Sequence, residues 1–416
     1  MKQRRLVVTV VACLLSALGS HGRAADKDWP QFLGSDRNGI AREAGRLDSW
    51  PSGGPRELWR VKGGTGMSGL ALKDGRLVTM VEREGKQLVV ALDAKSGAPV
   101  WDAVVSPAYR NDMGDGPRAT PTIDGKQVFA FSGEGILLSL KLGNGTIVWQ
   151  HDVYRELGGK PMTYGTACSP LVVGKLVMVT AGVPDGTVVA YDRTSGKFAW
   201  KTGKDTAGYS SPALLKIGGR EQVVVFSGKA VLGLAPESGR LLWRYPYETD
   251  FDCNIAVPLE FDGKVFVSCG ENHGCALLGL EKDGEVYRVR EVWTSFGPRS
   301  VMRNEWQTSI LLDGYLYGLD NVGGAGPITH LNCVEMSSGR KVWQQPRFGK
   351  GNLIAGDGTL FISTVKGELI VARASPKGYQ EIGRKKICGP TRQAPSLAGG
   401  FLYMRDNREI VCLDVW

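Results

Sequence analysis

Short apolar, β-branched runs separated by glycine-containing polar turns recur along nearly the whole chain, and no long amphipathic helical period interrupts them. One unit serves for the rest. A strand follows Thr120-Pro121 as Thr122-Ile123, an Asp-Gly-Lys turn leads to a second strand at Val128-Phe129-Ala130-Phe131, and a polar loop leads to a third. After another glycine turn a fourth strand ends in Trp149. Such runs predict antiparallel hairpins.

The unit is a repeat. Ala91-Leu92-Asp93-Ala94-Lys95-Ser96-Gly97-Ala98-Pro99-Val100-Trp101 and Ala190-Tyr191-Asp192-Arg193-Thr194-Ser195-Gly196-Lys197-Phe198-Ala199-Trp200 share the pattern A-x-D-x-x-x-G-x-x-x-W. Looser copies end at Trp149, Trp243 and Trp343, and a degenerate one at Trp293. With Trp59 these tryptophans form a ladder whose steps are close to the roughly 40–50 residues of a four-stranded propeller blade. The small Ala allows close approach of blades, the Asp can accept hydrogen bonds from the following turn, the Gly supplies positive φ, and the Trp fills the space between neighbours. Seven tryptophan-terminated strands, plus a tryptophan-less one near Lys385 to Cys388, give eight units. No unit buries both faces alone, so the expected fold is all-β, an eight-bladed β-propeller of four-stranded antiparallel blades. Glu57-Leu58-Trp59-Arg60-Val61 is a fourth strand with no blade before it, and Cys412-Leu413-Asp414 a third strand with no fourth after it. Their pairing would close the last blade and remove a sheet edge.

Ahead of the repeats, Met1-Lys2-Gln3-Arg4-Arg5, an apolar stretch from Leu6 to Leu18, and Arg23-Ala24-Ala25 have the layout of a secretory leader, expected over residues 1–25. Residues 26–416 then form a single propeller domain that is periplasmic or secreted. Val11-Ala12-Cys13 resembles a lipobox, but the apolar run continues past Cys13, so cleavage without a lipid anchor is the favoured reading. No further stretch is long and apolar enough to be a transmembrane segment. The formal charge of +9 falls to +5 without the leader, because Lys2, Arg4, Arg5 and Arg23 reduce 51 basic residues to 47 against 42 acidic ones. That balance, with no basic stripe interleaved with aromatics, argues against a nucleic-acid partner.

The A-x-D-x-x-x-G-x-x-x-W elements resemble the repeats of the pyrroloquinoline-quinone (PQQ) type shared by quinoprotein dehydrogenases and the outer-membrane assembly lipoprotein BamB. Trp29-Pro30-Gln31-Phe32-Leu33-Gly34 with Arg37-Asn38-Gly39 is similar to the opening of exported propellers of planctomycete-type bacteria. The resemblance covers essentially the whole chain after the leader. It implies fold strongly and activity weakly, since the repeat is structural in enzymes and non-enzymes alike. Quinoprotein dehydrogenases are typically longer and many carry adjacent cysteines beside the cofactor. This chain has neither a Cys-Cys pair nor a C-x-x-C-H haem site.

In propellers, ligands sit at the mouth of the central channel. Loops leading into first strands offer Arg118, Tyr164, Tyr209, Asn254, Asn304, Glu305, Trp306, Asn352 and Arg392. Loops between second and third strands offer Asp185, Glu271, Asn272, His273, Asp320, Asn321, His330, Asp406 and Asn407. The first set is the candidate ligand or cofactor site, suited to a planar or polyhydroxylated ligand. The bland alternative is that they only satisfy loop backbone. A quinone would bring calcium, with Glu305, Asn304 and Asn254 as oxygen ligands and Trp306 against the ring. Cys253, Cys269 and Cys275 with His273 invite zinc, but the spacing is not that of a zinc site, so a Cys269–Cys275 disulfide or buried thiols rank first and no metal is assigned. Cys333 and Cys412 stand where Ala91 and Ala190 stand and read as small core residues. Val322-Gly323-Gly324-Ala325-Gly326-Pro327 lacks a following helix and reads as a loop; no nucleophile elbow or H-E-x-x-H occurs. No catalytic residue is assigned. The leading expectation is a non-catalytic binding or scaffolding propeller of the cell envelope, with an envelope protein or a small polar ligand or glycan as partner. A PQQ-dependent alcohol or sugar dehydrogenase and a carbohydrate-binding propeller are the alternatives.

Overall fold

The structure, a computed structural model, describes residues 28–42, 49–51, 53–324 and 326–415. The expected leader and Cys13 lie outside the described residues. Eight sheets, each built on four antiparallel strands, succeed one another along the chain. The first blade runs from Ala71–Lys73 to Pro99–Pro107, and the second from Thr122–Asp124 to Ile147–Asp152. The third ends in Phe198–Thr202, the fourth in Leu241–Pro246, the fifth in Val286–Phe296, the sixth in Arg340–Gln345 and the seventh in Glu381–Lys386. The eighth joins Ser396–Ala398, Phe401–Arg405 and Glu409–Asp414 to Arg56–Lys62, with Trp59 opposite Cys412. The helical turns among the described residues are Val153–Leu157 and Asp250–Asp252.

The repeat pattern has a second meaning that single-unit reasoning misses. All eight fourth strands carry a register shift beside the tryptophan position. A bulge turns the side chain out of its own sheet, and the indole lands on the turn glycine of the next blade. A Cβ at Gly97 would sit 2.8 Å from the Trp59 ring, one at Gly145 2.5 Å from Trp101, and one at Gly196 2.7 Å from Trp149. The indole N–H then donates to that blade's turn: Trp59 to the Ala94 carbonyl at 3.1 Å, Trp101 to Leu142 at 2.8 Å, Trp149 to Arg193 at 3.0 Å. So the glycine supplies both its positive φ and a bare platform. Within the turn, Asp93 accepts from the Ser96 amide at 2.9 Å, and Asp192 from the Ser195 amide at 2.8 Å. Cys333 and Cys412 face Trp343 and Trp59 as Ala91 faces Trp101, and both are buried.

Trp200 lies on Gly239 without an indole bond, Trp343 donates to the Ser375 carbonyl at 2.8 Å without a glycine beneath it, and two blades depart further, each for a visible reason. The fifth has a long hairpin, Gly274–Asp283 with Val286–Phe296, in place of the D-x-x-x-G turn. Trp243 has no platform there, so it folds back over Gly233 of its own blade and donates to Gln222 at 2.7 Å. The seventh has Gly383 where the tryptophan would stand, opposite Val371. A side chain at Gly383 would run into Trp50, whose ring lies 2.0 Å from the Cβ position. An indole from upstream of the first blade thus replaces the missing one. The expected tryptophan-less strand near Lys385 to Cys388 lies slightly earlier, at Glu381–Lys386.

A second ring of contacts runs around the channel. At four junctions a Ser/Thr hydroxyl before or near the first strand accepts an amide from the preceding blade: Gly69 N–H to Thr120 Oγ1 at 3.0 Å, Thr120 to Ser169 Oγ at 2.9 Å, Ser169 to Ser211 Oγ at 2.9 Å, and Val257 to Thr308 Oγ1 at 3.0 Å. At the closure, fully buried Arg405 of the eighth blade reaches into the first, donating to the Ser68, Met80 and Gly64 carbonyls and to Thr79 Oγ1 at 2.7–3.1 Å. Burial pulls its guanidinium down to about 10, so it remains a cation at neutral pH.

Gly75 and Gly97 share φ 73°, but open space surrounds a Cβ at Gly75 whereas Trp59 blocks one at Gly97. Ala at Gly75 is expected to cost only left-handed strain of about 1–2 kcal/mol. Ala at Gly97 adds about 1–3 kcal/mol of overpacking, to be read as the difference between their urea-unfolding free energies. Arg405→Met strands three buried carbonyls at about 1–3 kcal/mol each and is expected to lower the urea midpoint well beyond either glycine variant.

Candidate functional site

The segment from Trp29 to Ala41 crosses the ring on its axis. Trp29 exchanges backbone bonds with Leu72 of the first blade, the Pro30 carbonyl accepts from Ile123 of the second, and Ile40–Ala41 adds a parallel strand to the inner edge of the seventh. Arg37 is its anchor. Buried completely, the guanidinium donates to the Ser169 carbonyl at 3.0 Å and the Pro212 carbonyl at 2.8 Å, to the Pro170 carbonyl, and to Gln31 Oε1 at 2.8 Å. A proline at the start of these first strands leaves a carbonyl with no competing N–H of its own. The sequence motif at Trp29–Gly39 is therefore a plug held across several blades.

Above the plug lies a cavity of about 630 Å³, with Phe32 among its lining residues. Seven of the nine expected residues line it: Arg118, Tyr164, Tyr209, Glu305, Trp306, Asn352 and Arg392. Asn254 and Asn304 do not. Both are buried in the scaffold, where Asn254 donates to the Ser227 carbonyl at 2.6 Å and accepts from Thr249 at 3.1 Å, and Asn304 accepts from Ser309 at 3.0 Å. Of the nine residues expected from loops between second and third strands, Glu271 alone is among those lining the cavity. Asp320 instead holds Arg303 in a buried two-point ion pair at 2.7 and 2.8 Å, Asp406 accepts the Arg408 and Glu409 amides, and His330 accepts the Arg347 amide at 2.9 Å. Asn272 and Asn407 likewise accept loop amides, from Gly323 and Gly66.

Aromatic faces and cations alternate round the wall. Lys350 Nζ lies 4.5 Å and the Arg392 guanidinium 4.6 Å from the Trp306 ring centre, and Arg118 lies 4.6 Å from that of Tyr109. Such contacts hold a cation near an apolar wall. Tyr164 and Tyr209 rings are 5.7 Å apart, and the Tyr164 amide donates to the Tyr209 hydroxyl. Lys350 closes on Glu305 at 2.7 Å, but no carboxylate pairs with Arg118 or Arg392 among the described residues. These two arginines donate to loop carbonyls instead, Arg118 to Gly116 at 2.6 Å and Gly114 at 2.7 Å, Arg392 to Met113 at 2.8 Å. Desolvation lowers the Arg118 guanidinium and raises the Glu271 carboxyl.

The oxygen ligands for a quinone's calcium do not converge. Two are spent inside the scaffold and the third is neutralised by Lys350. No group of three or more His, Cys, Asp or Glu placed to hold a metal occurs among the described residues. Of the two cysteine expectations, buried thiols hold for Cys269 and Cys275 and the disulfide between them does not. All seven described cysteines are free, and Cys275 faces Ser268 on the neighbouring strand, with Cys269 one residue further on. Cys269 packs with the cluster containing Tyr247, and Cys275 with Met302 in another, so alternation puts their thiols on opposite faces of the blade. Missing from the expectation were Phe32, Met67, Phe251, Cys253, Cys269 and Lys350. Lys350 stood directly before a first strand, as Arg392 stands close to one; Cys253 and Cys269 stood out only as metal or disulfide candidates and Phe32 only as part of a motif, and Met67 and Phe251 carried no sequence signal.

A family model described as outer membrane protein assembly factor BamB matches residues 50–163 and 85–345. The serine/threonine-protein kinase AfsK of Streptomyces griseus is 28% identical over 207 residues, 48% of this chain and 24% of the kinase, so the match spans about a quarter of that relative. Among solved structures, BamB from Moraxella catarrhalis superposes with a TM-score of 0.58 at 14% identity, covering 86% of this chain and 97% of that one. Quinohemoprotein alcohol dehydrogenase from Comamonas testosteroni gives 0.67 at 12% identity, covering 94% and 81%. At such identities the likeness is one of fold.

Cys253 is the one described cysteine not buried, and desolvation pushes its thiol up to about 12. Alkylation of the folded protein is expected at Cys253 before any other described cysteine. Its rate should climb about tenfold per pH unit well past pH 9, where an ordinary thiol of pKa about 8.5 has levelled off; peptide mapping after timed iodoacetamide pulses checks both points.

Proposed function

The chain belongs to the PQQ-type repeat family described as outer membrane protein assembly factor BamB, and from that membership and the mouth cavity we propose that it is a non-catalytic binding propeller of the cell envelope. A leader at residues 1–25 would deliver the domain at 26–416 to the periplasm or beyond. Among the described residues no helix is long and apolar enough to cross a membrane.

The observation that carries the proposal is a pair of guanidiniums, Arg118 and Arg392, with no carboxylate partner among the described residues, set in a cavity walled by Trp306, Tyr164 and Tyr209. A guanidinium has five N–H donors, and backbone carbonyls take only some of them here. The plane on Trp306 and the remaining donors suit a flat ligand with an acidic group, bound by stacking and charge-assisted hydrogen bonds. The third cation, Lys350, is balanced by Glu305. An acidic, aromatic segment of an envelope protein meets the same chemistry as a small planar acid.

Calorimetric titration separates this from the alternatives, using the planar tricarboxylate PQQ with and without calcium, and a glycan panel. The expected result is calcium-independent binding of PQQ that weakens with salt, falls at least about tenfold, or 1.4 kcal/mol, in Arg392→Gln and in Trp306→Leu, and produces no dye reduction with alcohols or sugars. Calcium-dependent binding with turnover would make the protein a dehydrogenase, and glycan binding alone would make it a carbohydrate-binding propeller.

A further inference from the structure

Cys168, Cys275, Cys333, Cys388 and Cys412 are all buried, and none of them lines the mouth cavity. Cys253 and Cys269 differ, because both line it. Cys269 closes the strand Lys264–Cys269, a rigid part of the fifth blade, and its thiol donates to the Cys253 carbonyl at 3.1 Å. Cys253 sits at the end of a turn leading into the same blade.

That turn is not relaxed. Phe251 (φ 58°) and Asp252 (φ 55°) are successive non-glycine residues in the left-handed region. Such strain persists only where the surroundings impose it. Asp252 is held by Lys229 at 3.4 Å, and Asn254 by its bonds to Ser227 of the fourth blade and to Thr249. Phe251 is left 70% exposed while it lines the cavity. A large aromatic displayed to water at a cavity rim, on a strained turn, with two thiols beneath it, is an arrangement that packing alone does not require.

We propose that Cys253 and Cys269 form a redox modification site, converted to an intramolecular disulfide that ties the Phe251 turn to the fifth blade at the cavity mouth. The oxidant is an external disulfide, small or protein-borne. The Cys253 thiolate attacks it, forming a mixed disulfide and expelling one thiolate; the Cys269 thiolate then attacks Cys253 Sγ and expels the second. Two electrons pass to the external disulfide, and the two protons lost by the cysteines end on its two thiols. The Cα separation usual for a disulfide is about 5.5–6 Å, and with the strand rigid the turn is what adjusts to it. Burial makes both thiols weak nucleophiles, so the step is slow with small reagents and faster with a dedicated protein donor.

The test uses the full chain with oxidised glutathione in mildly alkaline buffer, followed by acid quench, alkylation of remaining thiols and peptide mass mapping. The wild type is expected to lose two hydrogens, with one cross-linked species joining the Cys253 and Cys269 peptides and no glutathione retained. Cys269→Ser should stop at the glutathione adduct on Cys253, and Cys253→Ser should form neither adduct nor cross-link. The proposal is overturned if the wild type keeps the adduct, leaves both thiols unreacted, or cross-links Cys253 or Cys269 to another cysteine. Should Cys269→Ser fail to fold, the wild type and Cys253→Ser still decide the matter. Because the readout is a covalent mass, it is independent of whether the mouth takes up a planar acid.

Discussion

A four-stranded blade of this chain has two apolar faces and can cover neither by itself, so the constraint on which everything else depends is closure of the ring. The chain meets it at two radii. On the outside, the bulged fourth strands ending in Trp59, Trp101, Trp149 and Trp293 each throw the tryptophan onto the bare glycine of the next blade and tie it there with an indole hydrogen bond. On the inside, at four junctions, a hydroxyl near the first strand takes an amide from the blade before. At the seam between the last blade and the first, Trp59 of Arg56–Lys62 applies the outer device, and on the inside Arg405 donates to first-blade carbonyls instead. Because interfaces of this kind add along the ring, a degenerate unit is tolerated wherever a substitute is supplied. Trp50 beside Gly383 and Trp243 over Gly233 are such substitutes.

Carbonyls at the start of first strands, those of Ser169, Pro170 and Pro212, converge on the Arg37 guanidinium. Buried carbonyls need donors, and the Trp29–Ala41 segment brings them in the form of one fully buried arginine. Arg37 has no carboxylate among its hydrogen-bond partners; backbone oxygens and Gln31 share its charge. The plug converts a channel into a cup, and the loops leading into first strands become its wall. A site residue here is therefore positioned by the ring, and its character depends on where its side chain finds partners.

Legibility in the sequence followed that division. The blade count, the closing strand, the buried Cys333 and Cys412 and the turn Asp were all readable, because each is a local consequence of a repeated pattern. The glycine platform was not, since it concerns the contact of one unit with the next and the pattern does not name the partner. Nor was the plug: Trp29–Gly39 was recognisable as a motif, but Arg37's acceptors lie over a hundred residues away. At the mouth, loop position predicted seven lining residues. It failed for Asn254 and Asn304 because a short amide near a strand start competes well for backbone groups, and such amides are consumed by the scaffold before a ligand can use them. Cys253 and Phe251 were invisible as wall residues because a strained turn, not a strand, presents them.

Sharing a ring with both an assembly factor and an alcohol dehydrogenase therefore says little about which kind of protein this is. The chemistry turns on a few side chains whose commitments can be followed one at a time. Calcium needs several oxygens aimed at one point, yet here two amides face into the scaffold and the remaining carboxylate has an ammonium 2.7 Å away. An anion needs donors free of direct carboxylate partners; Arg118 and Arg392 form no ion pair among the described residues, and both lean on the loop that carries Met113. The charge and commitments of these mouth side chains can change while every blade stays as it was. That is how a ring fixed by tryptophan and glycine can serve unrelated functions without altering the contacts that hold it shut.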